Sequence, residues 1–79
     1  MAGDEVDFVI YGPRGFHAFE IKRADTINKK ALSGLKKFGD DYPEAKLYIL
    51  FLGKQKEYYG NITAIPLEEA LRELPELIK

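Results

Sequence analysis

Seventy-nine residues carrying a formal net charge of −1, with 46% hydrophobic and 32% charged side chains, describe one small globular domain rather than a disordered tail. The absence of cysteine excludes a disulfide framework and a thiolate zinc site. An acidic start and the lack of any apolar run near ~20 residues argue against a secretory leader and a spanning helix, so a soluble, cytoplasmic protein with a small core is expected.

The first predicted element is a pair of strands, "VDFVIY" and "FHAFEIK", at roughly 5 to 11 and 16 to 22. Both are short and rich in β-branched and aromatic residues, and the "GPRG" between them is hairpin punctuation. If Gly12 stands opposite Gly15, Tyr11 faces Phe16, Asp7 faces Glu20 and Glu5 faces Lys22. Opposed residues project from one face, which puts the Asp7 and Glu20 carboxylates side by side with Lys22 two residues beyond Glu20 on the same surface. A bulge at Gly15 would instead slip the register by one and send the two carboxylates to opposite faces. His17 belongs to the face opposite Glu20 and reads as a packed or edge histidine rather than a ligand.

The segment "NKKALSGLKKFG" follows, with Ala31, Leu35 and Phe38 at helical spacing, Leu32 beside them, Asn28 as cap and Gly39 as stop. Its outer face is lysine-rich. From Arg14 to Lys37 there are seven basic side chains against Glu20 and Asp25 only, so the molecule has a basic side. Lys29, Lys30 and Lys37 on this helix, with Arg23 before it, are candidates for phosphate contacts, or simply a solvated helix face. "AKLYILFLG" is apolar on both alternating sets, as a strand covered on both faces must be, and belongs at the centre of a sheet. "KEYYGNITAIP" reads as two short strands about a Gly-Asn turn. "LEEALREL" is an amphipathic helix through Leu67, Ala70, Leu71 and Leu74 that Pro75 should end or kink. Tyr11, Tyr48, Tyr58 and Tyr59 are capable of stacking on bases, but tyrosines in short strands are more often core and rim.

The order of elements implies an α/β domain spanning residues 1–79: a small mixed sheet with an N-terminal antiparallel hairpin, a crossover helix and a C-terminal helix. The chemistry of an Asp7, Glu20 and Lys22 cluster is specific. Two carboxylates are hard ligands suited to Mg²⁺ or Mn²⁺, and a nearby lysine can orient a water or stabilise charge on a phosphoryl group. The competing reading is an outer hairpin face with ordinary cross-strand ion pairs.

Together, "EVDFVIYG", "FHAFEIKRA", the lysine-bearing helix, "YPEAKLYILFLG" and "ITAIPLEEAL" resemble the PD-(D/E)xK nuclease superfamily. More closely, they resemble the domain of unknown function at the C-terminus of many archaeal and bacterial AAA+ family ATPases. This resemblance implies that Asp7 and Glu20 are metal ligands, that Lys22 is the catalytic lysine, and that Arg23 and the helix lysines face a DNA or RNA backbone. It also implies that the superfamily's first helix and strand lie upstream, in an ATPase chain of which this is the C-terminal part, and that the fragment alone is inactive. No GxxxxGK[ST] phosphate loop occurs, so no bound nucleotide is expected. A non-catalytic accessory or assembly role is the alternative, with homodimerisation through an exposed first strand.

Overall fold

The structure is a computed structural model and describes residues 6–13 and 15–77. Five strands form one sheet: β1 (Phe8–Gly12), β2 (Gly15–Ile21), β3 (Lys46–Phe51), β4 (Glu57–Tyr59) and β5 (Ile62–Pro66), in the order β1-β2-β3-β5-β4. The two outer pairs are antiparallel, whereas β2–β3 and β3–β5 are parallel, so the sheet is mixed as the order of elements implied. Helix α1 (Lys29–Asp41) connects β2 to β3, and helix α2 (Leu67–Leu77) follows β5 directly.

Alternation along the strands builds two cores. Ala18, Leu47, Ile49, Phe51, Ile62 and Ala64 stand on the face covered by Ala31 and Leu35 of α1. Phe19, Tyr48, Leu50 and Ile65 stand on the other, against Ala70 of α2 with Leu67 and Leu74 beside it. β3 contributes to both, which is why its sequence is apolar at every position from Leu47 to Phe51.

Local chemistry sets most boundaries. The hairpin has the register expected with Gly12 opposite Gly15, from Tyr11↔Phe16 to Phe8↔Phe19. Gly15 takes φ +114°, a conformation open to glycine, and the turn is absorbed there without slipping the ladder. Asn28 caps α1, its Oδ1 accepting the Ala31 N–H at 2.8 Å.

Gly39, expected as a stop, falls inside a helix, and Pro75, expected to end or kink the last helix, does not end it. α1 runs through Gly39 to Asp41, and the Tyr42 N–H closes its last turn on the Phe38 carbonyl. Gly39 serves packing: a Cβ there would lie 2.7 Å from Cδ1 of Leu47, so the missing side chain lets α1 approach β3. α2 likewise continues past Pro75 to Leu77. The proline removes the N–H that would reach the carbonyl of Leu71, and Leu71 is 67% exposed, on the side where water can take that carbonyl's place.

Candidate functional site

The charged corner lies where the β1–β2 ladder ends. Along β2 the Lys22 N–H donates to the Leu50 carbonyl on the β3 side at 2.8 Å, which leaves the Ile21 N–H pointing toward β1. The last paired residue of β1 is Phe8, opposite Phe19. Beyond it the Asp7 N–H donates to the Phe19 carbonyl at 2.9 Å, and Oδ2 of Asp7 accepts the Ile21 N–H at 2.6 Å. A carboxylate has replaced a backbone carbonyl at the end of the ladder.

This local irregularity changes what stands beside Glu20. Strict alternation from Val9 would place Asp7, not Val6, on the α1 face, yet Val6 packs on that core. The strand has turned by Asp7, which is exposed and directs one oxygen at the β2 backbone rather than standing free on the sheet surface. Glu20, by contrast, is 5% exposed and sits on the α1 face beside Ile49. Its Oε2 lies 3.3 Å from Nζ of Lys22, itself about one-third exposed. The corner therefore gathers a backbone-bound aspartate and a buried glutamate with its lysine, at the end of β2 where the chain leaves toward α1. The Glu5 partner expected for Lys22 lies outside the described residues, as does Arg14. Among the described residues no group of three or more histidine, cysteine, aspartate or glutamate side chains is close enough together to hold a metal ion.

The basic residues follow immediately. Arg23 is exposed in the connection to α1, and Lys29, Lys30, Lys36 and Lys37 are exposed along the helix. The expected phosphate contacts thus lie on the surface, next to the charged corner in sequence. His17 is on the other face and is fully buried, stacked on Tyr48 with ring centroids 6.1 Å apart. Neither ring nitrogen has a hydrogen-bond partner among the described residues. Burial, helped by the Lys46 ammonium beside it, pushes its pKa below the ordinary histidine value.

Two sets of contacts between distant elements were not read from the sequence. Lys56, between β3 and β4, reaches α2 and contacts Glu73 at 3.1 Å and Glu69 at 3.6 Å. The hydrogen bond to Glu73 raises the lysine's pKa and lowers that of the glutamate. The spacing of Glu69 and Glu73, one helical turn apart, was a signal for a shared cation, but not for which one. An aromatic cluster of Tyr11, Phe16, Phe38 and Tyr42 also joins the hairpin end to the last turn of α1, with Tyr11 78% exposed.

No helix among the described residues is long and apolar enough to cross a membrane. Neither a curated protein nor a solved structure matches the chain. A family model described as "Domain of unknown function (DUF4143)" matches residues 1–70, and by that match the chain belongs to this family.

Proposed function

We propose that this is a nuclease-like domain of the PD-(D/E)xK kind, engaging nucleic acid beside a divalent-metal site formed by Asp7 and Glu20. The observation that carries the reading is the pairing of a nearly buried Glu20 with Lys22 at the ladder end that Asp7 caps. Burying a carboxylate in so small a core is costly, and an ion pair only partly offsets it. A domain selected for stability alone would gain by an apolar residue there.

Mg²⁺ or Mn²⁺ takes one or two protein carboxylates and fills its shell with water and phosphate oxygens, so Asp7 and Glu20 suffice in number and kind. When bound, the cation supplies an acidified water and charge stabilisation at a phosphoryl group. Lys22 would then orient the attacking water oxygen toward phosphorus and stabilise the oxygens that gain charge as the bond to the leaving oxygen breaks. Arg23, Lys29, Lys30 and Lys37 would hold the flanking phosphates of DNA or RNA.

Thermal unfolding with and without millimolar Mn²⁺ or Mg²⁺ tests the site. The wild type is expected to be stabilised by mass action, and Asp7→Asn to lose that shift. Metal-dependent cleavage of single- and double-stranded DNA and RNA tests the chemistry. A wild type that neither shifts with metal nor cleaves removes the nuclease reading.

A second reading has its own observation. The Asp7 carboxylate already serves a backbone amide, and the family match is consistent with a C-terminal domain of an ATPase family. On this reading the domain is a non-catalytic accessory or assembly module of an AAA+ ATPase, with β1, an edge strand of the sheet, available for pairing with a second copy. Metal-independent dimerisation lost on Ile10→Pro would favour it.

A further inference from the structure

The two edges of the sheet are built differently. β4 is three residues long and bears Glu57, the short and charged form that discourages pairing with another chain. β1 runs from Phe8 to Gly12 with no charged side chain and no proline, and no strand lies on its outer side among the described residues. Tyr11 on this strand is 78% exposed, and Phe8, Val9 and Ile10 are half-buried. Such an edge offers its backbone for pairing, and the hairpin decides which groups it offers. The Lys22 N–H donates toward β3, so by alternation Phe19 and His17 direct their backbone groups at β1. They stand opposite Phe8 and Ile10, which therefore face β2 and leave the N–H and C=O of Val9 and Tyr11 pointing outward.

We propose that the chain pairs with a second copy of itself along β1, antiparallel and centred on Ile10, so that two sheets join into one. About a two-fold axis at Ile10, Val9 stands opposite Tyr11 of the second copy, and each outward N–H meets an outward C=O. The neighbouring registers fail on the backbone. An axis at Val9 would bring in Asp7, whose N–H already donates to the Phe19 carbonyl. An axis at Tyr11 would bring in Pro13, which has no N–H to give. The side chains favour the same register. On the α1 face the exposed Tyr11 ring gains Val9 of the other copy, an aromatic and β-branched cross-strand pair. On the α2 face Phe8 lies across from Gly12, a ring over a residue with no side chain, and Ile10 meets its own copy. The proposal rests on the assembly reading above, whose partner and register it specifies. It uses none of the side chains of Asp7, Glu20 and Lys22, so it is independent of the metal site.

Sedimentation equilibrium of the full 79-residue chain in the presence of EDTA measures the association. A dimer that dissociates on dilution in the micromolar range is expected, because the interface is short. Tyr11→Pro removes an outward N–H and leaves the hydrogen bonds to β2 in place. It should raise the dissociation constant by about tenfold, with the circular dichroism of the monomer unchanged. The chain has no cysteine, so a single introduced one reads the register. Ile10 and its copy form a non-hydrogen-bonded pair with Cα atoms ~4.5 Å apart, within reach of a disulfide, so Ile10→Cys should oxidise to a covalent dimer with oxidised glutathione. Gly12→Cys should not, since its two copies lie ~13 Å apart along the strands. A dimer in which Ile10→Cys stays reduced, or in which Gly12→Cys cross-links instead, overturns this register and leaves the assembly reading standing. A wild type that is monomeric at every concentration overturns the pairing itself.

Discussion

The two ends of β2 solve the same problem in opposite ways. Near one end Glu20 is buried on the α1 face with Lys22 at 3.3 Å. Near the other, His17 is buried on the α2 face with neither ring nitrogen partnered among the described residues. A carboxylate held at neutral pH in a small core must be compensated, because an isolated buried charge costs several kcal/mol. An imidazole can instead give up its proton and pack as a flat ring, which Tyr48 accommodates by stacking. The glutamate end is therefore held by a charge partner, and the histidine end by remaining neutral.

Removing the partner should give the largest effect. Lys22→Met removes the ammonium that lies 3.3 Å from the buried Glu20 carboxylate and is expected to destabilise the domain by about 2 kcal/mol, less than the loss of a fully buried pair because Lys22 is partly exposed. Chemical denaturation of the variant measures it. Glu20→Leu/Lys22→Met should recover most of that loss, which separates the cost of a stranded charge from a need for the pair itself.

At the other end, acid is the perturbation. The folded-state pKa of His17 lies below its unfolded value, so the unfolded chain binds the extra proton. Stability is complete above about pH 6.5 and falls as pH drops through that value toward the lower folded pKa, by at most about 1.4 kcal/mol per pH unit. His17→Leu should flatten that slope in denaturation curves taken between pH 7 and pH 5. An unchanged slope would place the titration elsewhere.

Asp7 comes next. Asp7→Ala removes the acceptor for the Ile21 N–H, an expected cost of about 1 kcal/mol, while Asp7→Asn keeps an oxygen there and should cost less. Faster amide exchange at Ile21 in Asp7→Ala would identify the bond responsible. The smallest effect is expected from Lys56→Ala, which releases Glu69 and Glu73 of α2. Its melting temperature should differ from wild type at low salt and converge with it as salt rises, because exposed pairs are screened.

Much of the fold was written locally. Gly12 and Gly15 around the turn implied the hairpin register, and unbroken apolar character from Leu47 to Phe51 implied a central strand. Asn28 marked the start of α1. Gly39 misled because a glycine has two uses, ending a helix or admitting a neighbour, and only the position of Leu47 tells them apart. Pro75 left an end or a kink open, and the helix does not end there because it can continue past a proline when the freed carbonyl lies on its solvent side. Of the charged corner, the Glu20–Lys22 proximity was legible from the two-residue spacing on one strand. Asp7 was legible as a neighbour of β2, but not in what its carboxylate binds.

Sequence alone determined the side of the sheet on which each regular strand residue projects, since alternation is fixed by the backbone from one residue to the next. It also determined the concentration of basic side chains between Arg14 and Lys37. Only the tertiary structure decided which of these side chains are buried and which groups they meet. Glu20 lost its water on the α1 face beside Ile49, and His17 lost its own against Tyr48. Asp7 turned to Ile21 because the paired residues of β1 end at its neighbour Phe8. An amide at the end of a ladder takes whatever acceptor space supplies, and that depends on where two distant segments come to rest.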